Sequence, residues 1–293
     1  MNLQTDFWQG AQDTVLIITA EKRWTRGELA ACIACYAETL ARTDSPEAVI
    51  YTRDNLKFII AFFAALQAGK EVILIQDQPA FRKLEAALKI DDDFIDVARQ
   101  SGHARLQEVD LSAAQTAFFT SGSSDTPKKI YKTYAALLRE LTAVDKYLAP
   151  GLKPDTVILT TVSMLHLYGM TFALLYSLAK GLVITGERLD TPEALSAQLA
   201  VPGNYWLISS PAFLERLANY RAEYTFASCP YLITSSGGPL SRNGALGLGE
   251  IFHTAPVEIL GSTETGVVAH RQTALETQWE LFPGITAGTD AEG

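Results

Sequence analysis

Apolar residues recur along this chain in two rhythms. The first is a short unbroken run: Val15-Leu16-Ile17-Ile18, Ala48-Val49-Ile50-Tyr51, Val72-Ile73-Leu74-Ile75 and Ala117-Phe118-Phe119. Runs that are apolar at every position predict strands covered on both faces, as in parallel sheets. The second rhythm has helical spacing. Leu29, Ile33, Tyr36 and Leu40 mark one helix. Thr25-Arg26-Gly27-Glu28 opens it as a capping box, hydroxyl and carboxylate each answering a backbone N–H. Residues 55–68 and 81–88 predict two more helices, the first stopped by Gly69.

From residue 134 the alternation repeats. Residues 134–148 and 169–178 predict helices. Ser209-Ser210-Pro211 starts another that runs to residue 220, its proline placed where a missing N–H does no harm. Val157-Ile158-Leu159-Thr160-Thr161, Leu182-Val183-Ile184, Tyr205-Trp206-Leu207-Ile208, Tyr231-Leu232-Ile233-Thr234 and Val257-Glu258-Ile259-Leu260 predict strands. Strand–helix alternation of this kind means the α/β class, parallel sheets with helices on both faces. No long linker separates the two series, so the expected domains are 1–115 and 116–293.

Length and composition narrow this little: 293 residues, 48% hydrophobic and 19% charged, describe a soluble globular chain of one large or two ordinary domains. The net charge of −9 says more. It weighs against nucleic acid or an anionic membrane as partner, since both require a basic face. An anionic ligand would need a local cluster such as Lys128-Lys129. The N-terminal sequence has no basic segment leading into an apolar one, so no signal peptide is expected. The most apolar stretches, 58–66 and 170–179, fall short of the roughly 20 residues that span a bilayer. A cytoplasmic protein without a membrane span is expected. Cys32 and Cys35 form a C-x-x-C inside the first helix, where small core residues are expected instead of a redox or zinc site. Asp91-Asp92-Asp93 is expected to be a solvated turn.

The chemistry concentrates in Thr120-Ser121-Gly122-Ser123-Ser124-Asp125-Thr126-Pro127-Lys128-Lys129. A buried strand opening into small hydroxyls, one glycine and two lysines suits phosphate. Gly122 lets the backbone come close, hydroxyls and backbone N–H groups donate, and Lys128 supplies charge. The loop is expected to lead directly into the helix at 134–148. It does not fit the Walker A pattern: Pro127 stands at the second glycine and Lys129 at the Mg²⁺-binding hydroxyl.

The stretch instead resembles the phosphate loop of the adenylate-forming superfamily, T-S-G-[ST]-[ST]-G-x-P-K, with Asp125 departing from the second glycine. That superfamily comprises acyl-CoA synthetases, peptide-synthetase adenylation domains and luciferases. Three more segments are similar to its motifs, in the same order: Ser163-Met164-Leu165-His166-Leu167-Tyr168-Gly169, Ser235-Ser236-Gly237-Gly238-Pro239-Leu240 and Gly261-Ser262-Thr263-Glu264-Thr265-Gly266. The resemblance implies that Thr120, Ser121, Gly122, Ser123, Ser124 and Lys128 hold ATP. It implies that His166 and Tyr168 line the acid pocket, and that Gly237, Gly238 and Gly261 make room beside the adenine and the acyl group. Thr263 is assigned to the α-phosphate and Glu264 to Mg²⁺, so Lys128, Thr263 and Glu264 are the implied catalytic residues. Leu260 occupies the place where the family often stacks an aromatic ring on adenine, a contact worth about 1–3 kcal/mol.

As a whole the resemblance implies two flavodoxin-like parallel-sheet subdomains in a layered αβαβα sandwich. It implies ATP-dependent activation of a fatty or aromatic carboxylic acid as acyl-AMP. The acyl group then passes to CoA or to the phosphopantetheine of an acyl carrier protein. The chain stops at Gly293, soon after the last motif, so it is expected to match the family's N-terminal core and to lack the ribose-binding Asp, the hinge and the small C-terminal domain with its lysine. Ala269-His270-Arg271-Gln272, Trp279 and Leu281-Phe282-Pro283-Gly284 are most similar to acyl or aryl acid synthetases of bacterial aryl-polyene and lipid gene clusters. Two alternatives stay open: a non-catalytic nucleotide- or acyl-adenylate-binding remnant or subunit, and an unrelated NTPase, which Pro127 disfavours.

Overall fold

A computed structural model describes residues 7–8, 10–86, 88–98, 106, 114–120, 128–219, 226–286 and 288. The chain divides into two compact units, Met1–Leu138 with Ser163–Arg188, and Arg139–Val162 with Leu189–Gly293.

The first unit opens with strands β1 (Val15–Ile18) and β2 (Arg23–Thr25), then helix α1 (Arg26–Ala41). The capping box forms as expected. The Glu28 N–H donates to the Thr25 hydroxyl at 3.3 Å, and the Thr25 N–H donates to the Glu28 carboxylate at 2.9 Å. That backbone bond, with help from Lys22, holds the Glu28 pKa below the usual carboxylate value. Leu29, Cys32, Ile33, Tyr36 and Leu40 make the buried face of α1. Cys32 is thus a core residue, its thiol directed at the Val97 carbonyl.

Strand β3 (Glu47–Ile50), helix α2 (Asn55–Gln67) and strand β4 (Glu71–Leu74) follow. Helix α2 is apolar on every side and is buried throughout Phe58–Leu66. Helix α3 is Gln78–Lys83, earlier than the expected 81–88. Asp77 caps it, accepting from the Ala80 N–H at 2.7 Å, and Leu84 ends it in an extended conformation. The cap and the proline at its start outweighed the apolar residues downstream. Asp91 then folds the acidic triplet into a turn, its carboxylate accepting from the N–H groups of Asp93 and Phe94.

Strands β5 (Lys89–Ile90), β6 (Gln115–Thr120) and β7 (Lys128–Thr133) complete a sheet of order β5-β3-β4-β6-β7. Its first four strands are parallel, and β7 is antiparallel to β6 with Thr120 opposite Lys128. The expected strand–loop–helix is therefore a strand–loop–strand hairpin. Helix α4 (Tyr134–Leu148) begins only after β7. This placement also moves the domain boundary expected at 115/116. Residues 115–133 add strands to the first unit's own sheet, with Val72 paired to Thr116, and α4 enters the second unit at residue 139. Its far end is anchored there by Tyr147, whose ring stacks on His270 at 3.7 Å and meets Phe282 edge-on.

Strand β8 (Thr156–Thr160) belongs to the second unit, after which the chain returns to the first. There, helix α5 runs through Leu167–Gly169, a π-helical stretch Met170–Tyr176 and Ser177–Lys180. The Ser177 hydroxyl donates to the Phe172 carbonyl at 2.9 Å within the widened turns. Strand β9 (Val183–Thr185) lies parallel to β1, with β2 antiparallel on the other side.

The rest of the second unit is helix α6 (Pro192–Gln198), β10 (Asn204–Ser209), α7 (Pro211–Asn219), β11 (Leu232–Ser235), α8 (Arg242–Phe252), β12 (Val257–Ser262), β13 (Gly266–Arg271) and β14 (Glu280–Leu281). Strands β8, β10, β11 and β12 are parallel, and β13 and β14 extend them antiparallel. Leu159, Leu207, Leu214, Leu217, Ile233, Leu248 and Phe252 build its core. Both units are thus α/β with parallel strands at heart, and the antiparallel edges depart from the all-parallel expectation. Among the described residues no helix is long and apolar enough to cross a membrane.

Candidate functional site

In the second unit the parallel strands end in small hydroxyl residues, the end at which open parallel sheets bind ligands. Thr161 and Ser209, after β8 and at the end of β10, share a hydrogen bond of 2.8 Å. Strand β11 ends at Ser235 and turns through Ser236-Gly237-Gly238-Pro239 before Ser241 caps α8. Gly237 has φ +93°, a conformation that side chains disfavour. A Cβ at Gly237 would meet nothing within 4 Å, and one at Gly238 would meet only Pro211 Cγ at 3.8 Å. The turn's backbone therefore faces open space. Two bonds hold it against β12: the Ser236 hydroxyl donates to the Ile259 carbonyl at 2.8 Å, and the Leu240 N–H donates to the Glu258 carboxylate at 2.8 Å.

Strand β12 runs from buried to exposed, and Leu260 presents 42% of its surface. Ser262 and Thr265 brace the turn into β13 reciprocally, each backbone N–H donating to the other's hydroxyl at 3.1 Å. Thr263, half-buried, and Glu264, exposed, form the tip. Gly261 is glycine for a reason the sequence does not display. A side chain there would strike the Gly266 carbonyl across the hairpin, and a side chain at Gly266, φ +74°, would strike the Glu140 carboxylate. The hairpin's own backbone demands both glycines. The tip carries one carboxylate, and Mg²⁺, which keeps its waters and takes phosphate oxygens, fits a donor set of that kind. No cluster of three or more His, Cys, Asp or Glu suited to a metal occurs among the described residues.

The first unit carries the remaining candidates. Ser121, Gly122, Ser123 and Ser124, with Asp125 and Pro127, lie outside the described residues; Thr120 ends β6, opposite Lys128. Lys128 is exposed. Lys129 is committed elsewhere, its ammonium 3.1 Å from Glu47 and 3.6 Å from Glu71. Desolvation works against its charge, yet hydrogen bonds to Tyr131 and Glu47 hold its pKa above the ordinary value. His166 is the N-cap of α5, and its accessible side chain makes no capping bond. Desolvation by the surrounding protein, followed by the positive charge of Arg188, pushes its pKa down, so the imidazole is neutral at pH 7. Tyr168 is half-buried, its ring tilted against Phe172 at 4.9 Å.

Within the second unit, then, the structure brings the Gly237-Gly238 turn beside Leu260 and the Thr263-Glu264 hairpin. Sequence reasoning missed Glu258, which ties turn to strand. Its only signal was a lone charge inside an otherwise apolar strand.

Comparison with known proteins bears on the same segments. No curated protein matches the sequence. Among solved structures the chain is similar to a benzoate CoA ligase from Burkholderia xenovorans, with TM-score 0.77 and 16% identity over 97% of this chain and 66% of that one. It is also similar to MatB from Rhodopseudomonas palustris (TM-score 0.76, 17% identity, 97% and 64%) and to a malonyl-CoA ligase bound to methylmalonyl-CoA and AMP (TM-score 0.75, 18% identity, 93% and 63%). At such identities the likeness establishes the fold, and the chain spans about two thirds of each of these proteins. The family model for AMP-binding enzymes matches residues 70–289, a range that runs from β4 through the loop after β6 and both turns to the end of the described sheet. Matched over that much of its length, this chain belongs to the AMP-binding enzyme family, the adenylate-forming superfamily.

Proposed function

We propose that this chain takes part in ATP-dependent activation of a carboxylic acid. A carboxylate oxygen of the acid attacks the α-phosphorus of ATP, pyrophosphate leaves with the electron pair of the broken P–O bond, and acyl-AMP forms. A thiol of CoA or of a carrier protein's phosphopantetheine then attacks the acyl carbon and releases AMP. The observation that carries this reading is the paired ends of β11 and β12. A side-chain-free turn facing open space is fixed beside an exposed leucine and a hydroxyl–carboxylate tip.

In this reading adenine and the acyl group lie along Gly237-Gly238 and Leu260. The Thr263 hydroxyl donates to the α-phosphate, and Thr120, Ser121, Gly122, Ser123, Ser124 and Lys128 cradle the phosphates beyond it. Glu264 holds Mg²⁺, which when bound neutralises phosphate charge. His166, neutral and accessible, and Tyr168 line the acid pocket. The chain's contribution is positioning and charge stabilisation, with no covalent step of its own. The acids activated are fatty or aromatic.

A second reading, binding of nucleotide or acyl-adenylate without turnover, is favoured by Asp125 in the phosphate loop and by Leu260 where a ring would stack. Calorimetry with ATP·Mg²⁺ and with a non-hydrolysable acyl-adenylate mimic, beside ATP–pyrophosphate exchange over a panel of acids, separates the readings. Acid-dependent exchange supports activation, and tight mimic binding without exchange supports the second reading. Binding of ATP with no preference for the mimic and no exchange would sink both in favour of an NTPase.

A further inference from the structure

Glu258 is a charged side chain only 2% exposed, two residues before Leu260 in β12. Its first carboxylate oxygen accepts from the Leu240 N–H at 2.8 Å. Its second accepts from Arg271 Nε at 2.9 Å and, in close contact, from the Thr273 hydroxyl. Arg271 in turn lies over the ring of Trp279, 4.2 Å from its centre. Both oxygens are thus occupied by donors from three places: the end of the glycine turn, strand β13, and the segment after it. A buried carboxylate without such partners is strongly unfavourable, so this one holds its neighbours as firmly as they hold it.

We propose that Glu258 is a positioning residue for the nucleotide and acyl group: it fixes the Gly237-Gly238-Pro239 turn at a set distance from the Leu260–Glu264 hairpin. This rests on the acid-activation reading above. The turn has no side chains of its own to pack, because a Cβ at Gly237 would meet nothing and one at Gly238 almost nothing. Its place is set by its two ties, Ser236 to Ile259 before the glycines and Leu240 to Glu258 after them. The first is a neutral hydroxyl bond to β12 alone. The second is charge-assisted and reaches β13 through Arg271 as well, so it locks turn and hairpin to one another.

An ionised carboxylate, an acceptor at both oxygens, is the group this junction requires. Glutamine has the same size but would set an NH₂ against either the Leu240 N–H or the Arg271 guanidinium, and one tie would open. Glu258→Gln is therefore the test, with binding of a non-hydrolysable acyl-adenylate mimic measured by calorimetry well below the unfolding temperature. Hydrogen exchange at the Leu240 amide is followed in parallel. The expected result is a folded variant that binds the mimic at least tenfold more weakly and loses protection at Leu240. A role confined to stability would lower the unfolding temperature and leave affinity within twofold, and that result overturns the proposal. Should Glu258→Gln not fold, Arg271→Gln decides, since it leaves the Leu240 bond in place. A threefold or greater loss of affinity supports the proposal, and a loss under twofold overturns it. Wild-type protein that binds no mimic would remove the acid-activation reading and this inference with it.

Discussion

Two lysines stand side by side where the loop after β6 re-enters the sheet, and their surroundings give them different tasks. Lys129 reaches back to Glu47 and Glu71, while Lys128 is exposed opposite Thr120. Replacing Lys128 with alanine is expected to weaken ATP·Mg²⁺ binding by about 1.5–3 kcal/mol, the range for a hydrogen bond to a charged group. Lys129→Ala should leave that affinity alone and shift stability by about 0–1 kcal/mol, as for other partly exposed ion pairs. Equal losses of affinity in calorimetry would return Lys129 to the phosphate site. His166 offers a different measurement. Its folded-state pKa is depressed by desolvation and by Arg188, so the unfolded chain binds the proton more tightly. Its contribution to stability is thus complete above about pH 6.5 and declines as pH falls toward the folded-state pKa. An NMR titration should place the His166 midpoint below that of a free histidine, and Arg188→Gln should raise it. A midpoint unmoved by that change would exclude Arg188 as a cause.

At the scale of elements the β12–β13 hairpin is the clearest device. Its tip residues, Thr263 and Glu264, are held by a pair of hydroxyls and by two glycines that let the strands and Glu140 close in. Thr265→Val deletes the hydroxyl that accepts from Ser262 and should lower stability by about 0.5–1.5 kcal/mol in denaturant unfolding. Glu264→Gln should leave stability nearly unchanged but reduce nucleotide affinity in the presence of Mg²⁺ far more than in its absence. If Mg²⁺ makes no difference to the loss, the carboxylate acts structurally and its assignment to the ion falls. The contrast between the two variants separates the frame of the hairpin from the group it presents.

At the scale of the molecule, the division into units is discontinuous in sequence. The first unit needs β6 and β7 to cover the edge of β4, and β9 to flank β1, so a piece ending at residue 115 would lose three strands of its two sheets. Residues 1–115 expressed alone are expected to show no cooperative thermal transition, in contrast to the full chain. A sharp calorimetric transition from that piece would mean that the earlier strands fold without their partners. The net charge of −9 also acts at this scale, since it leaves anion binding to local donors such as Lys128 and the backbone of the turns.

Local chemistry alone dictated much of this protein. Unbroken apolar runs marked β1, β3, β4, β8, β10, β11 and β12, because a strand buried on both faces admits no polar position. The Thr25–Glu28 box and the periodic face beyond it marked α1, because capping and burial are settled within one or two turns. The motif segments announced the family for the same reason: each is contiguous, and its chemistry needs those residue types at that spacing. The tertiary structure decided the rest. Strand β7, with lysines at alternate and adjacent positions, and β13 and β14 at the sheet's edge carry no unbroken apolar run, so only pairing across the sheet makes them strands. Helices α6 and α8 were passed over although Thr191 with Pro192, and Ser241, stand at their starts. Whether Lys129 faces phosphate or Glu47, whether Gly261 spares room for a ligand or for the Gly266 carbonyl, and why one glutamate interrupts β12 are questions of partners distant in sequence. Periodicity records whether a residue is buried. Which neighbour it is buried against is fixed only when the strands assemble.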